Sequence, residues 1–398
     1  MSEANINLMD FLGVMVERNA SDIYLTVASP PMYRIQGVVQ PIGEHVFSPE
    51  ELEELAKSFM NERQWSQFTE HMEMNLALSY RKLSRFRVNV FRQRGSVGVV
   101  IRRIRTEIET LDELGLPQIL KDISMTKRGL VLVVGATGSG KSTTLAGMID
   151  HRNTNAPGHI ISVEDPIEFI HRHKKSIVNQ RELGFDTDTF SDALKNAMRQ
   201  APDVILIGEI RDSDTMEAAI TFADTGHLCL ATLHSTNANQ SFERILNFFP
   251  ESRHPQVMMQ LSLNLRCIIS QRLVPGLDGK RVAAIEILMD TPRIKELIKR
   301  GQVDVVKEAM EQGIQEGCQT FDHALFLLYK EGKITLEQAL IHADSANNLR
   351  IKTKLEGLRG DDAIDKLLEE EAAATNEKPA GPMHIQGLRS VNSPFRKI

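Results

Sequence analysis

Eight consecutive residues of this chain, 135–142, could hold the phosphates of a nucleotide. They read GATGSGKS, follow the apolar run LVLVV and precede TTLAGMIDH. This pattern, in a strand–loop–helix context, is that of a phosphate-binding P-loop. Its glycines let backbone N–H groups turn inward to a phosphate, and the positive end of the following helix dipole adds to the attraction. The alternative is a Gly-rich turn without chemical significance.

Single positions of this loop have distinct expected roles. Lys141 is expected to reach the β- and γ-phosphates of a nucleoside triphosphate, and Ser142 to ligate Mg²⁺. Further contacts to the nucleotide are expected from Gly135, Thr137, Gly138, Ser139, Gly140 and Thr143.

Two groups of carboxylates follow apolar runs and could share the chemistry at the phosphates. Glu209 follows VILI and Gly208, at the point where a P-loop protein usually carries an Asp that holds Mg²⁺ or its water. Glu164, Asp165 and Glu168 follow the run IISV. One group is expected to position the metal, and the other to orient or deprotonate the attacking water. Each could instead be an ordinary acidic loop at a strand end.

Two histidines bracket the run LCLATL. His227 and His234 are seven residues apart, so on an extended strand they point to opposite faces and cannot share one metal ion. His234, at the carboxyl end, is placed to sense the γ-phosphate or to contact a neighbouring domain. His227 could equally be a structural histidine.

The elements that must carry these residues predict an α/β fold with a mostly parallel sheet. Apolar runs at 130–134, 159–163, 204–208 and 228–233 alternate with helical patterns. Such runs are typical of strands buried on both faces of a doubly wound sheet. Ligands of these sheets bind at the carboxyl ends of the strands, where the groups described above fall.

The rest of the chain divides into three further segments. Residues 1–110 predict an α+β domain, with short strand patterns and a helix that begins at Ser48-Pro49. Gly115 and Pro117 mark a linker over 111–120, and the second domain is expected over 121–345 with helices at its end. The last segment, 346–398, predicts a charged, mostly disordered tail with one short helix through DAIDKLLEEE.

Composition and charge limit the function classes. The 398 residues include 47 basic and 53 acidic side chains, so the net charge of −6 supplies no general attraction for nucleic acid, which is not an expected partner. Cys229, Cys267 and Cys318 lack the spacing of a disulfide framework or a zinc knuckle, which favours a reducing cytoplasm. No apolar run approaches the ~18 residues of a membrane span, so membrane association is expected to be peripheral.

Several runs together resemble a known family. GATGSGKSTTLA, ISVEDPIEF, ALKNAMRQAPDVILIGEIRD and TGHLCLATLHS resemble the Walker A motif, Asp box, Walker B motif and His box of the ATPases of type II secretion and type IV pilus systems. The resemblance runs in order over about 1–345. Within that superfamily the chain is similar to the pilus retraction branch, which contains PilT-like motors and their PilU paralogues, and the charged C-terminal extension favours the paralogue group.

The resemblance implies a PAS-like N-terminal domain, a RecA-like ATPase domain and a homo-hexameric ring, cytoplasmic and peripheral at the inner membrane face. ATP would be bound between subunits and completed by arginines of the neighbouring PAS-like domain, which map onto Arg87, Arg94 and Arg102. A guanidinium brought across an interface stabilises charge developing on the γ-phosphoryl group. Glu164 is the family's usual candidate for the catalytic base. The implied catalytic set is Glu164, Glu209, Lys141 and His234, with Ser142 and Glu209 as the metal ligands.

The implied function is ATP hydrolysis that drives pilus retraction, as an accessory to the principal retraction ATPase. That ATPase and the inner-membrane platform protein are the implied partners. One departure concerns TPRIKELIKRGQ, which keeps Ile294, Leu297 and Ile298 of a family helix close to AIRNLIRE but changes most polar positions. The surface that engages the platform is therefore expected to differ from that of the retraction motor.

Three other functions stay open at this point. An extension or secretion ATPase would usually carry a longer N-terminal region and a four-cysteine zinc insertion, which are not found here. A non-hydrolysing ring that binds the principal motor is disfavoured by the intact Lys141, Glu164 and Glu209. A nucleic-acid translocase is disfavoured by the acidic charge and by an aromatic content of 5%.

Overall fold

The computed structural model describes residues 7–80 and 84–356. The short helix expected through DAIDKLLEEE lies outside these residues. Over the described part of the chain, the backbone forms two sheets, each covered by its own helices.

The N-terminal sheet is antiparallel throughout. Its strands are β1 (Asp22–Leu25), β2 (Met32–Ile35), β3 (Val38–Pro41), β4 (Glu73–Tyr80), β5 (Ser84–Gln93) and β6 (Ser96–Arg103). They lie in the order β3-β2-β1-β6-β5-β4. On β5, Phe86, Val88 and Val90 are fully buried and alternate with half-buried residues, so one face of the sheet is apolar.

Three helices cover that apolar face: α1 (Leu8–Glu17), α2 (Pro49–Ser58) and α3 (Glu62–His71). The predicted start of α2 is confirmed. Ser48 accepts a hydrogen bond from the backbone of Glu51, and the Glu51 side chain accepts one from the backbone of Ser48. This reciprocal cap satisfies N–H groups that the first helical turn leaves unpaired.

The second sheet has seven strands. They are β7 (Gly129–Val134), β8 (Gly158–Glu164), β9 (Ser176–Glu182), β10 (Val204–Ile207), β11 (Leu228–Leu233), β12 (Leu265–Pro275) and β13 (Arg281–Met289). Their order is β13-β12-β7-β11-β10-β8-β9, and every pairing is parallel except that of β12 with β13. Each of the four apolar runs forms one of these strands, which confirms the predicted α/β class and the mostly parallel sheet.

Helices pack on both faces of this sheet. One face carries α4 (Ile119–Ser124) and α5 (Lys141–Asn155). The other carries α6 (Phe190–Ala197), α7 (Ser213–Asp224), α8 (Ala238–Leu246), α9 (His254–Asn264), α10 (Pro292–Lys299) and α11 (Val306–Gln312). The segment predicted as a linker, 111–120, is packed rather than exposed, because Leu111, Leu116 and Leu120 are buried in the apolar core beneath α5.

Three more helices form a layer at the end of the described chain, which we call the C-terminal helical layer. They are α12 (Phe321–Lys330), α13 (Leu336–His342) and α14 (Ala346–Leu355). The prediction of a tail from residue 346 is wrong for its first ten residues, because Leu349 and Thr353 are buried against this layer. Ser345 caps α14 by accepting from the backbone of Asn348. A helix with so few apolar residues has little periodicity to detect.

We expect Leu349→Ala to destabilise the protein by about 2 kcal/mol, since it removes a buried leucine from the core of the C-terminal helical layer. Chemical denaturation of purified protein measures this loss. The matched control is Ile351→Ala in the same helix, where the side chain is 57% exposed, and we expect a change within about 0.5 kcal/mol. Equal losses in both variants would show that α14 is not docked as described.

Candidate nucleotide site

The predicted P-loop joins β7 to α5, so the motif lies at the carboxyl end of a central strand. At Gly135 the backbone passes so close to other atoms that a Cβ would lie 2.4 Å from Ser139 Oγ and 2.6 Å from the Gln271 carbonyl oxygen. Only glycine fits there. The Ser139 hydroxyl is buried and has no hydrogen-bond partner among the described residues. A glycine-lined cradle with an unpaired hydroxyl is suited to phosphate oxygens.

Lys141 lies inside the loop that it belongs to. Its Nζ donates to the carbonyl oxygens of Gly135, at 2.8 Å, and of Ala136, at 3.0 Å. The pKa of Lys141 is lowered, mainly because burial disfavours the charged ammonium, although the nearby carboxylates of Glu209 and Glu168 act in the opposite direction. The charge that would bind phosphates is thus held at the loop, with carboxylates beside it.

Ser142, the predicted metal ligand, is hydrogen-bonded to a residue of the Asp box. Its Oγ donates to Glu168 Oε1 at 2.9 Å. A hydroxyl and a carboxylate side by side are the hard oxygen donors that Mg²⁺ prefers. In 7–80 and 84–356, no group of three or more His, Cys, Asp or Glu residues could hold a metal by itself. The Ser142 hydroxyl and the Glu168 carboxylate fit a Mg²⁺ ion that takes further oxygen ligands from phosphates.

Glu209 joins three of the predicted motifs. Its Oε2 accepts from Arg211 Nε at 2.6 Å, and its Oε1 lies 3.0 Å from His234 Nε2. Arg211 also donates to Asp165 Oδ2 at 3.0 Å. A Cβ on Gly208 would lie 3.0 Å from the Glu164 backbone, so a glycine here lets the two strand ends approach. Walker B, Asp box and His box residues are thereby brought into one charged network.

Arg211 was missed by sequence reasoning. It pairs with both Glu209 and Asp165, and these carboxylates raise its pKa. The one signal in the sequence was its place two residues after Glu209 in GEIRD. That spacing alone does not show that Arg211 contacts Asp165, because Asp165 follows a different strand, β8.

Glu164 is the carboxyl group with the environment of a general base. Its Oε1 accepts from Ser162 Oγ at 2.6 Å and from Gln180 Nε2 at 3.1 Å. Burial raises the pKa of Glu164 to about 7, in spite of these hydrogen bonds. A base is most effective when its pKa lies near the working pH, so Glu164 is suited to accept a proton from water.

The two histidines have different surroundings. His227 Nδ1 lies 3.1 Å from the Thr225 hydroxyl and 3.2 Å from the carbonyl oxygen of Phe222, whose ring it meets edge-on. These contacts close the turn between α7 and β11 and are those of a structural residue. His234, at the opposite end of β11, faces Glu209. The expectation that the two do not share a metal site agrees with this separation.

The structure brings two of the three predicted arginines together. Arg87 and Arg102 are direct cross-strand partners on β5 and β6, so they share one face of the N-terminal sheet. Arg102 Nε donates to Asp22 Oδ1 at 2.6 Å. Arg94 lies at the exposed tip of the β5–β6 turn, seven residues from Arg87, or roughly 23 Å along an extended strand. At that distance Arg94 could not contact one phosphate group together with Arg87 and Arg102.

The N-terminal region also contacts β9 and the Asp box of its own chain. The Oε2 atom of the buried Glu182 lies 3.5 Å from Arg85 Nη2. The pKa of Glu182 is raised, because the effect of burial outweighs the opposite effect of Arg85 and Arg87. Arg105 forms a β-bridge with Phe169, next to Glu168. Neither contact was predicted, because each joins segments far apart in sequence.

The altered family helix is α10. Ile294 and Ile298 are buried in the core below it, and Leu297 packs against the same core. The kept apolar positions therefore serve packing, while the changed polar positions Arg293 and Glu296 are exposed.

Comparisons with known proteins identify the class. Residues 4–356 match the family described as type II/IV secretion system protein, and the chain belongs to that family. It is 53% identical over 372 residues to the type IV pilus ATPase PilU of Pseudomonas aeruginosa, covering 93% of this chain and 97% of PilU. It is 41% identical over 334 residues to the type IV pilus retraction ATPase PilT of the same organism, covering 84% of this chain and 97% of PilT.

A solved structure agrees with this assignment. The crystal structure of the pilus retraction motor PilT with bound ADP superposes with a TM-score of 0.80, at 41% identity over 86% of this chain and 98% of that one. The predicted resemblance to the retraction branch is confirmed. No helix within the described ranges is long and apolar enough to cross a membrane.

We expect the stability of Glu164→Gln relative to wild type to be greater at pH 8 than at pH 5. The pKa of Glu164 is about 7 in the folded state and near 4.5 when the side chain is surrounded by water, so the folded state binds the extra proton between these values. Stability from this group therefore falls as pH rises through that window, and the variant removes the loss. Melting temperatures of variant and wild type at pH 5 and pH 8 measure the effect.

The matched control is Glu243→Gln, an exposed carboxylate on α8. We expect its difference from wild type to be the same at both pH values. If Glu164→Gln also showed a constant difference, the burial of this carboxyl would be refuted.

Proposed function

We propose that this chain is an ATP hydrolase and a subunit of a motor for type IV pilus retraction. The observation that carries the proposal is the convergence of a P-loop lysine, a carboxyl group with a pKa of about 7 and the Glu209 network at one edge of the sheet. The relatives PilU and PilT, aligned over most of this chain, are named ATPases, which supports the same chemistry.

The proposed reaction is hydrolysis of the γ-phosphoryl group. A water oxygen bonds to the γ-phosphorus, the bond from that phosphorus to the bridging oxygen of ADP breaks, and Glu164 accepts the proton of the water. Lys141 leaves its two loop carbonyls to contact the β- and γ-phosphates. His234, held against Glu209, is placed to respond to the γ-phosphate.

Mg²⁺, when bound with the nucleotide, would neutralise charge on the phosphates. Ser142 is its proposed ligand, and Glu168 orients the Ser142 hydroxyl by accepting its proton at 2.9 Å. Glu209 is the proposed second ligand, directly or through water. Both of its oxygens contact Arg211 or His234, so these contacts would rearrange when metal binds.

We further propose a ring of six chains in which the PAS-like N-terminal domain of one subunit completes the RecA-like site of the next. Arg87 and Arg102 form the cationic pair that would reach the neighbour's γ-phosphate, since they share one face. Arg94 is not included in this pair because of its distance along the strand.

The proposed place of action is the cytoplasmic side of the inner membrane, on the pilus platform protein. An accessory role beside the principal retraction ATPase is supported by the identity to PilU, 53% over 93% of this chain, compared with 41% over 84% for PilT.

We expect Lys141→Ala to lose essentially all ATP turnover, because it removes the buried cation that contacts the transferred phosphoryl group. Steady-state phosphate release measures this. The control, Lys127→Ala, removes an exposed lysine and should leave turnover unchanged. Equal phosphate release from the Lys141→Ala variant and wild type would show that this chain is a non-hydrolysing partner.

Mixing variants tests whether the arginines act on the neighbouring subunit. Arg87→Ala and Lys141→Ala proteins should each be inactive alone, but a mixture should regain turnover, because a Lys141→Ala subunit can donate its intact arginines to the intact P-loop of an Arg87→Ala subunit. Arg63→Ala, an exposed arginine of the same domain, should be fully active alone. A mixture without regained activity would place Arg87 in its own chain's site.

A further inference from the structure

Two consecutive residues of β12 have contacts on opposite faces of the seven-stranded sheet. Gln271 and Arg272 are neighbours on an extended strand, so their side chains point to opposite faces. Ser270 pairs with Val134, the last residue of β7, so Gln271 lies beside the start of the P-loop. Gln271 and Arg272 pair with Ile285 and Ala284 of β13, whereas the pairing of β12 with β7 ends at Ser270.

Gln271 contacts both ends of the phosphate loop. It is buried, and its Oε1 accepts from the Thr144 hydroxyl in the first turn of α5 at 2.7 Å. Its Nε2 lies 2.7 Å from the position of a Cβ on Gly140, and its carbonyl oxygen lies 2.6 Å from that of a Cβ on Gly135. The first and last glycines of the loop therefore rest against one residue.

Arg272 contacts the C-terminal helical layer. Its guanidinium carbon lies 3.8 Å from the centre of the Phe321 ring, at the start of α12. Its Nη1 donates to the carbonyl oxygen of His342 at 2.9 Å, and its Nη2 lies 2.8 Å from Asp344 Oδ1. Asp344 also pairs with Lys307 at 3.0 Å. One side chain thus joins α12 to the segment that connects α13 with α14.

We propose that Gln271 is a positioning residue for the phosphate loop, and that Arg272 passes a movement of this loop to the C-terminal helical layer. The proposal rests on the nucleotide site proposed above. When phosphates draw Lys141 from the carbonyl oxygens of Gly135 and Ala136, the loop changes its contacts with Gln271. The next residue then shifts against Phe321 and Asp344. A ligand moves a distant element only if the two share such contacts.

The test combines nucleotide affinity with hydrogen exchange of the full-length chain. The probe is ADP with MgCl₂, its affinity is measured by fluorescence of a labelled ADP, and exchange is followed in peptides of 321–355. In wild type we expect ADP to bind and to change exchange in this layer. Gln271→Leu keeps the size of the side chain but loses its hydrogen bond, so we expect the Kd for ADP to rise about tenfold.

The Arg272→Lys variant separates transmission from binding. It keeps the charge but loses the planar contacts to Phe321 and Asp344. We expect its Kd for ADP to stay within about twofold of wild type, while most of the ADP-dependent change in 321–355 is lost. Phe321→Leu, which keeps an apolar side chain in the core, should have the same effect. It provides an independent test in case Arg272→Lys does not fold correctly.

Arg266→Lys is the matched control. Arg266 lies on the same strand, but it pairs with Asp290 at 2.8 Å, away from the loop. We expect the wild-type exchange response from it. A full response in both Arg272→Lys and Phe321→Leu, an ADP response missing from wild type, or an unchanged Kd in Gln271→Leu would overturn the proposal. Failure of wild type to bind ADP at all would instead refute the proposed function on which it rests.

Discussion

The common edge of parallel strands is the constraint on which the site depends. Six neighbouring strands run in the same direction, with Val134 opposite both Leu233 and Ser270, and with Ile207 opposite both Ala231 and Val163. Residues that follow these strands must therefore meet, although they are up to about 140 positions apart in the chain. The hydrogen-bonded register, rather than any single side chain, assembles the P-loop, the Asp box, Glu209 and His234 in one place.

The charges at this edge support the proposal that a second chain completes the site. Glu168 and Glu209 lie near the P-loop lysine, Glu164 lies near Glu168, and Arg211 is already paired with Glu209 and Asp165. A bound nucleoside triphosphate adds further negative charge to a region rich in carboxylates. Burial already resists ionisation of Glu164. In the proposed site, Mg²⁺ and a neighbour's arginine pair would supply the additional cations.

The sequence predicted the elements and the strand-end residues because both are local patterns. The apolar runs, the glycine spacing of the P-loop and the carboxylates after strands needed no knowledge of tertiary contacts. The roles of Arg211, Glu182 and Gln271 could not be predicted, since each contacts partners from distant segments. The docking of α14 was missed for another reason, because its burial depends mainly on one leucine. Arg94 was grouped with Arg87 and Arg102 by the family resemblance, although it lies at the turn between their two strands.

Two separate sets of contacts lead away from the nucleotide site. The Asp box touches the N-terminal domain of its own chain through the Arg105–Phe169 bridge, and Glu182 on the adjacent β9 lies against Arg85. The phosphate loop touches the C-terminal helical layer through Gln271 and Arg272. In the proposed site the Asp box and the phosphate loop would both face the phosphates, so a change in the nucleotide would act on both contacts together. The proposed motor function would depend on that arrangement, since force arises only when parts on either side of the site move relative to each other.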